Sequence, residues 1–199
     1  MKNLRFILAV LIVSISGMNA QQVHSDERFN FSIQHPDNWI KAKPSESIEN
    51  LQSKIKLSQE SIDMILKNHQ GTIEIVTFYK YPTNSVNGII PTIKVNLRKN
   101  PTKNFAEFKE MMVQGAENLK KPFPNLQITK QISVTKIDGI ECVYFESTNK
   151  IPTKNGNEEY RTLTYAVPVG DNFYQINFID KANDNCTNVF NEILNSIDL

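Results

Sequence analysis

Few side chains in this sequence are spaced for chemistry. His24, His35 and His69 are scattered, and none stands at metal-ligand spacing such as H-x-x-x-H. A zinc site needs three or four convergent ligands, so no metal site is expected. Asp180, Asn183, Asp184 and Asn185 offer oxygens that a hard cation such as calcium uses. The stretch lacks the Gly and the terminal Glu of a calcium loop, and capping of a following helix by Asp184 or Asn185 accounts for it without an ion. There is no G-x-S-x-G elbow to expose a serine nucleophile. Glu141 and Glu146 share a strand at odd separation, so they point to opposite faces and do not pair as acid and base. Glu158 and Glu159 flank a polar turn and most simply solvate it. The chain has seven Gly, with neither G-x-G-x-x-G nor G-K-[ST], and so no phosphate cradle. No catalytic residue and no cofactor is assigned. Trp39, the only Trp, follows a Pro at a strand corner and is expected in the core instead of on a sugar. Asn30-Phe31-Ser32 and Asn185-Cys186-Thr187 match the N-glycosylation pattern, a tripeptide short enough to arise by chance.

The address is clearer. Lys2 and Arg5 precede an apolar block from Phe6 to Val13, then Ser14, Ser16, Gly17 and a cleavage point after Ala20. This is the layout of a secretory signal peptide, residues 1–20. The block is too short to cross a bilayer about 30 Å thick, and no later stretch is long enough, so no transmembrane segment is expected in the mature chain. Cleavage takes two of the 22 basic residues and none of the 21 acidic ones, leaving a formal charge of −1. That balance calls for neither nucleic acid nor an anionic membrane as partner. Residues 21–28 are polar and expected to be disordered. Residues 29–199 suffice for a single domain with its own core.

Cys142 and Cys186, the only cysteines, both lie in the exported part. An oxidising compartment and an even count make them a candidate disulfide. Cys142 alternates with Ile140 and Tyr144 along a strand face, and Cys186 lies one helical turn before Phe190. The bond would close a loop of about 45 residues and stabilise the chain by roughly 3–4 kcal/mol. The alternative is two small buried thiols.

Hydrophobic periodicity supplies the elements. Phe29, Phe31 and Ile33 alternate with polar neighbours as in a half-buried strand that Pro36 ends. Residues 45–69 carry Ile48, Leu51, Ile55, Ile62, Ile65 and Leu66 at helical spacing. Strands follow at 72–81, apolar on both faces and expected inside the sheet, and at 92–97. Thr102 or Asn104 caps a helix whose stripe is Phe105, Phe108, Met112, Ala116 and Leu119, with Pro122 beyond it. Four strands then run at 126–137, 140–148, 158–169 and 172–179. Asp138-Gly139 and Gly170-Asp171 are tight hairpin turns, and residues 154–157 make a longer one. A final helix at 185–196 presents Val189 or Phe190, Ile193, Leu194 and Ile197 to the core. Strands joined by such turns are antiparallel, and the fold class is α+β, an antiparallel sheet with flanking helices.

The opening FNFSIQHPDNWIK resembles the start of the PsbP-like family, which includes extrinsic photosystem proteins, nuclear Ran-binding Mog proteins and periplasmic DcrB-type proteins. The closing NFYQINF and NVFNEILNSIDL are also similar to that family. The resemblance covers residues 29–199. It implies an α/β/α sandwich and a binding or assembly role without catalysis. It carries over no functional residue, because the matching positions are ones the fold itself requires.

One strand face in the second half is polar: Thr129, Gln131 and Ser133, then Thr162 and Thr164, then Gln175 and Asn177. The opposite face carries Leu163, Tyr165, Val167, Tyr174, Ile176 and Phe178 and must be the core side. The polar row is expected to lie open to solvent and is the candidate partner face. The reading is an exported, non-enzymatic binding or accessory module of the cell envelope or extracellular space. Its partner is an unknown protein or envelope component. The rival is a small exported hydrolase with a site assembled from distant residues. Mass spectrometry of the exported protein should find a mature chain starting at Gln21, and a retained residue 1–20 segment would refute that address.

Overall fold

The computed structural model describes residues 22–43, 60, 64 and 70–199. The signal peptide expected at 1–20 lies outside the described residues, as does the helical segment expected at 45–69 apart from residues 60 and 64. A seven-stranded sheet is the centre of the molecule, and every neighbouring pair of strands in it is antiparallel. Its strands are β3 (Ile40–Lys41), β4 (Ile73–Tyr79), β5 (Thr92–Lys99), β6 (Gln127–Ile137), β7 (Ile140–Thr153), β8 (Gly156–Val169) and β9 (Asn172–Asp180). They lie in the order β3-β4-β5-β9-β8-β7-β6, which puts the last strand of the chain in the middle. A separate hairpin pairs β1 (Val23–Asp26) with β2 (Phe31–Gln34). Helix α1 (Phe105–Asn118) covers part of one sheet face; α2 (Thr187–Asn195) and β2 cover the other. This is the α+β fold expected, with an α/β/α arrangement.

The larger core sits under α2. Tyr165 and Phe178 from the sheet, Phe190 and Ile193 from α2, Ile197 beyond it, and Phe31, Ile33 and Trp39 form one apolar cluster. Trp39 stands edge-on to Phe190 with centroids 6.3 Å apart, as its sequence position implies. Beneath α1 a smaller cluster joins Phe108, Met112 and Ala116 to Val143, Phe145, Ala166 and Phe173. The stripe read from the sequence is therefore the face that packs. Its helix starts where Asn104 accepts a hydrogen bond from the Glu107 N–H at 3.0 Å.

Turn chemistry fixes the meander. Asp138 and Gly139 both have positive φ, 49° and 76°, as a two-residue hairpin of the primed type requires. The turn expected at 154–157 is tighter than its composition implies, because β7 runs on to Thr153 and β8 starts at Gly156. Pro152 fits inside β7 because β6 pairs no further than Thr148, so β7 is itself an edge there. A bulge between Glu74 and Val76 turns Ile75 and Val76 both into the larger core, while Ile73 is 47% exposed.

Other expectations need correction. Residues 23–26, placed in a disordered start, form β1, in register with β2 from Val23↔Gln34 to Asp26↔Phe31. Neither Asp184 nor Asn185 caps α2; the cap position is Cys186. The Asp184 carboxylate instead accepts from the Lys181 N–H at 3.1 Å, closing a 3-10 turn, and Asn185 takes a left-handed conformation that ends it. Glu158 does more than solvate a turn, since it accepts from the Ile89 N–H at 2.6 Å and lies 3.5 Å from the Lys181 ammonium. Gly88 permits that contact, because a Cβ there would sit 2.1 Å from the carboxylate.

The candidate disulfide is absent, and both thiols are free and buried. Both join the core under α2, but at opposite ends of the sheet. Cys142 pairs with Thr135 near the start of β7, whereas the Cys186 sulfur lies 3.6 Å from the ammonium of Lys80, just past Tyr79. Tyr79 shares a cross-strand row with Thr92, Ile179, Thr162 and Ser147, five residues along β7 from Cys142. At about 3.3 Å per residue that is roughly 16 Å, beyond the Cα separation of about 7 Å that a disulfide spans. Native protein at neutral pH should take up no alkylating agent at either cysteine, and denatured protein should take up two equivalents. An intact mass short by two hydrogens would refute this.

Candidate functional site

The strand register decides which members of the predicted polar row meet. Thr162, Thr164, Gln175 and Asn177 do share one face, the one that α1 partly covers. The Thr164 hydroxyl donates to Asn177 Oδ1 at 2.9 Å. Ser133 lies on the opposite face, opposite Tyr144, with its hydroxyl 3.4 Å from the Tyr144 carbonyl oxygen. Register shifts at Ile128/Lys130 and Lys130/Ser133 are the reason: the simple alternation assumed for this strand breaks twice. Thr129 and Gln131 are exposed on β6, the outer strand of the sheet.

Across β8 and β9 the row is largely covered instead of open to solvent. Thr164 is 3% exposed and Thr162, Gln175 and Asn177 are half-buried. It continues across β5 and β4, where the sequence reading did not follow it. Lys94 pairs with Glu74 at 2.8 Å, Thr77 donates to Glu74 at 2.9 Å, and Arg98 donates to the Gln175 side chain at 3.2 Å. Burial pushes the Arg98 guanidinium below its usual range. Asn96, 5% exposed, sits between Glu74 and Gln175 in the register, and its Oδ1 has no partner among the described residues. The signal for this extension was the alternation of Lys94, Asn96 and Arg98 with Val95 and Leu97. Only strand order shows that β5 lies beside β9.

A second polar group stands on the α2 side. Tyr144 donates to Glu146 and stacks on Tyr165 with centroids 4.5 Å apart, and the Lys130 ammonium lies 4.7 Å from the Tyr144 ring centroid. Burial, together with the hydrogen bond to Glu146, holds the Tyr144 hydroxyl far above the ordinary phenol range. Beside it Arg161 grips the buried Asp180 with two bonds of 3.0 and 2.9 Å and also donates to the Thr187 hydroxyl at 3.2 Å. Asp180 is thus engaged by a guanidinium, and the oxygens considered for a cation have protein partners at Asp180 and Asp184. Glu141 faces away from Glu146, as the odd spacing requires, opposite Lys136.

Burial pushes the Cys142 thiol up to about 11 and raises that of Cys186, against which the Lys80 ammonium pulls. A raised thiol is the reverse of an activated thiolate nucleophile. No group of three or more His, Cys, Asp or Glu side chains placed to hold a metal occurs among the described residues. No helix among them is long and apolar enough to cross a membrane.

The architecture is similar to solved structures of low sequence identity. Cyanobacterial PsbP (CyanoP) from Synechocystis sp. PCC 6803 superposes with a TM-score of 0.55 at 11% identity, over 92% of this chain and 95% of that one. LpqN of Mycobacterium tuberculosis, described as involved in cell envelope biogenesis, gives 0.47 at 12% identity over 92% and 86% of the two chains. A protein from Bacteroides thetaiotaomicron VPI-5482 gives 0.48 at 11% identity, over 85% of this chain and 44% of that one. No protein-family model and no curated protein matches. The likeness to CyanoP shows a shared fold.

Burial separates the two parts of the predicted row by experiment. Thr164→Lys should destabilise the fold by several kcal/mol in urea unfolding, since it drives a charge into a closed position. Gln131→Lys should change stability by less than about 0.5 kcal/mol. Equal, small effects would show that the row is open.

Proposed function

We propose that the chain is an exported binding or accessory module with one PsbP-like domain, which docks a component of the envelope or extracellular space without catalysing a reaction. The observation that carries this reading is the β6 edge of the sheet, which has no second partner strand among the described residues. β6 is eleven residues long, pairs on one side with β7, and presents exposed Thr129, Gln131 and Val134, the last 45% accessible. An unpaired strand edge offers backbone donors and acceptors to a partner, and exposed side chains along it supply selectivity. The partner surface therefore centres on Thr129 and Gln131, with the buried members of the polar row acting inside the fold.

The rival hydrolase would need a nucleophile beside a base and oxyanion donors. Both thiols are buried with raised pKa, and the buried carboxylate of Asp180 is tied to Arg161. These contacts favour the binding reading. The test is cross-linked recovery of partners from envelope extract, native chain against a Thr129→Lys, Gln131→Lys double variant. The variant should keep its unfolding midpoint and lose the partner recovered by the native chain. Undiminished recovery would move the docking surface away from β6.

A further inference from the structure

The first hairpin meets the main sheet through a histidine. In its register His24 stands opposite Ile33 and Asp26 opposite Phe31, so these two side chains of β1 turn to the side where Ile33 and Phe31 enter the larger core. Val23 and Ser25 turn outward and are exposed. The His24 Nδ1 lies 3.1 Å from the ammonium of Lys41 on β3. An ammonium has donors only, so Nδ1 must accept and the proton of the ring must sit on Nε2. Nε2 is buried without a well-formed hydrogen bond among the described residues. The ring therefore fits this place as a neutral group. A second proton would have to go on Nδ1, against the Lys41 ammonium, and the contact would turn from a bond into a repulsion between like charges.

We propose that His24 is an acid-sensitive latch, whose protonation releases β1 from β3 and opens the first hairpin. The groups facing the ring are Lys41 on β3, Asp26 on β1 and the Ile75 carbonyl on β4. Burial first, and then the Lys41 ammonium, disfavour the imidazolium; the Ile75 carbonyl and the Asp26 carboxylate draw the other way by less, so His24 is held below its ordinary range. Asp26 is a weak counter-ion here, because its carboxylate accepts from the Arg28 guanidinium at 2.9 and 2.6 Å. A released β1 leaves its histidine in water with an ordinary value of about 6.5. Below that pH the open form binds a proton that the closed form refuses, so acid favours opening until the closed form is protonated as well. β1 is only four residues long and lies at an edge of the hairpin, so a modest bias moves it. Its departure bares one backbone edge of β2, where another strand can pair. The latch is separate from the β6 edge and does not rest on that reading.

The test is an NMR titration of the full exported chain between about pH 8 and 5, following the His24 ring and hydrogen exchange at the His35 amide. That amide donates to the Gln22 carbonyl oxygen at 2.7 Å across the mouth of the hairpin, so it reports whether β1 is in place. The ring should titrate below about 6.5. Protection of the amide, corrected for the pH dependence of chemical exchange, should fall about tenfold per pH unit beneath that value. Lys41→Met, at an exposed position, should bring the ring closer to its ordinary value. His24→Gln keeps an acceptor for Lys41 but cannot titrate, and its protection should be level across the range. If His24→Gln loses the hairpin at every pH, the Lys41→Met titration decides, and an unmoved ring would overturn the proposal. A ring that titrates at or above about 6.5 would also overturn it, as would protection that stays level while the ring takes its proton. Equal pH dependence in the native chain and His24→Gln would overturn it by placing the sensor on another group, His35 included.

Discussion

The structure depends on the burial of β9 along its whole length. This strand lies between β5 and β8, and its inward residues Tyr174, Ile176 and Phe178 are 3%, 0% and 0% exposed. A strand with a period of two has two faces, and here both are covered to different degrees. The face toward α2 is apolar from Tyr174 to Phe178, and Asp180 beyond them is paired with Arg161. On the other, Phe173 packs under α1 while Gln175 and Asn177 enter a hydrogen-bonded network. Shifting β9 by one residue would bring its polar set under Phe190 and its aromatic set into that network, so the register has a single solution.

Such a half-apolar second face explains much of the polar chemistry in the molecule. Polar groups taken from water must find partners inside, and Lys94 with Glu74, Thr164 with Asn177 and Arg98 with Gln175 do so. Asn96 and Asn149 are left with an unmet atom each. The Arg161–Asp180 pair makes the same compromise on the α2 side. Its two bonds also tie β8 to the end of β9, with Thr187 of α2 held by the same guanidinium. Removal of Arg161 would leave a buried carboxylate unpaired, a larger penalty than the attraction between the two charges would indicate.

Much of this was legible in the residues. Alternation in Tyr174-Ile176-Phe178, the Asp138-Gly139 turn and the Phe108-Met112-Ala116 stripe each state a local rule that the fold obeys. What could not be read is what arises between segments. That Ser133 faces away from Thr164 follows from bulges in β6, and bulges leave no mark in hydrophobic periodicity. That Cys142 and Cys186 share a core yet lie far apart follows from the position of α2 along the strands, which neither spacing nor burial pattern encodes. The polar row was identified as a row, but its burial was not, because coverage depends on elements distant in sequence.

The tail after α2 returns to the first hairpin, where Ser32 and Asp198 exchange backbone hydrogen bonds of 3.0 and 3.1 Å. Together with the central β5–β9 pairing, this makes the last strand and tail of the chain indispensable to the whole. Contacts so distant in sequence are slow to form, because chain closure must precede any reward from pairing. A chain lacking residues 170–199 has no middle strand and no Asp198 partner for Ser32, so this sheet cannot close. Were the chain exported unfolded, as proposed, this topology would postpone folding until β9 and the residues after it had arrived.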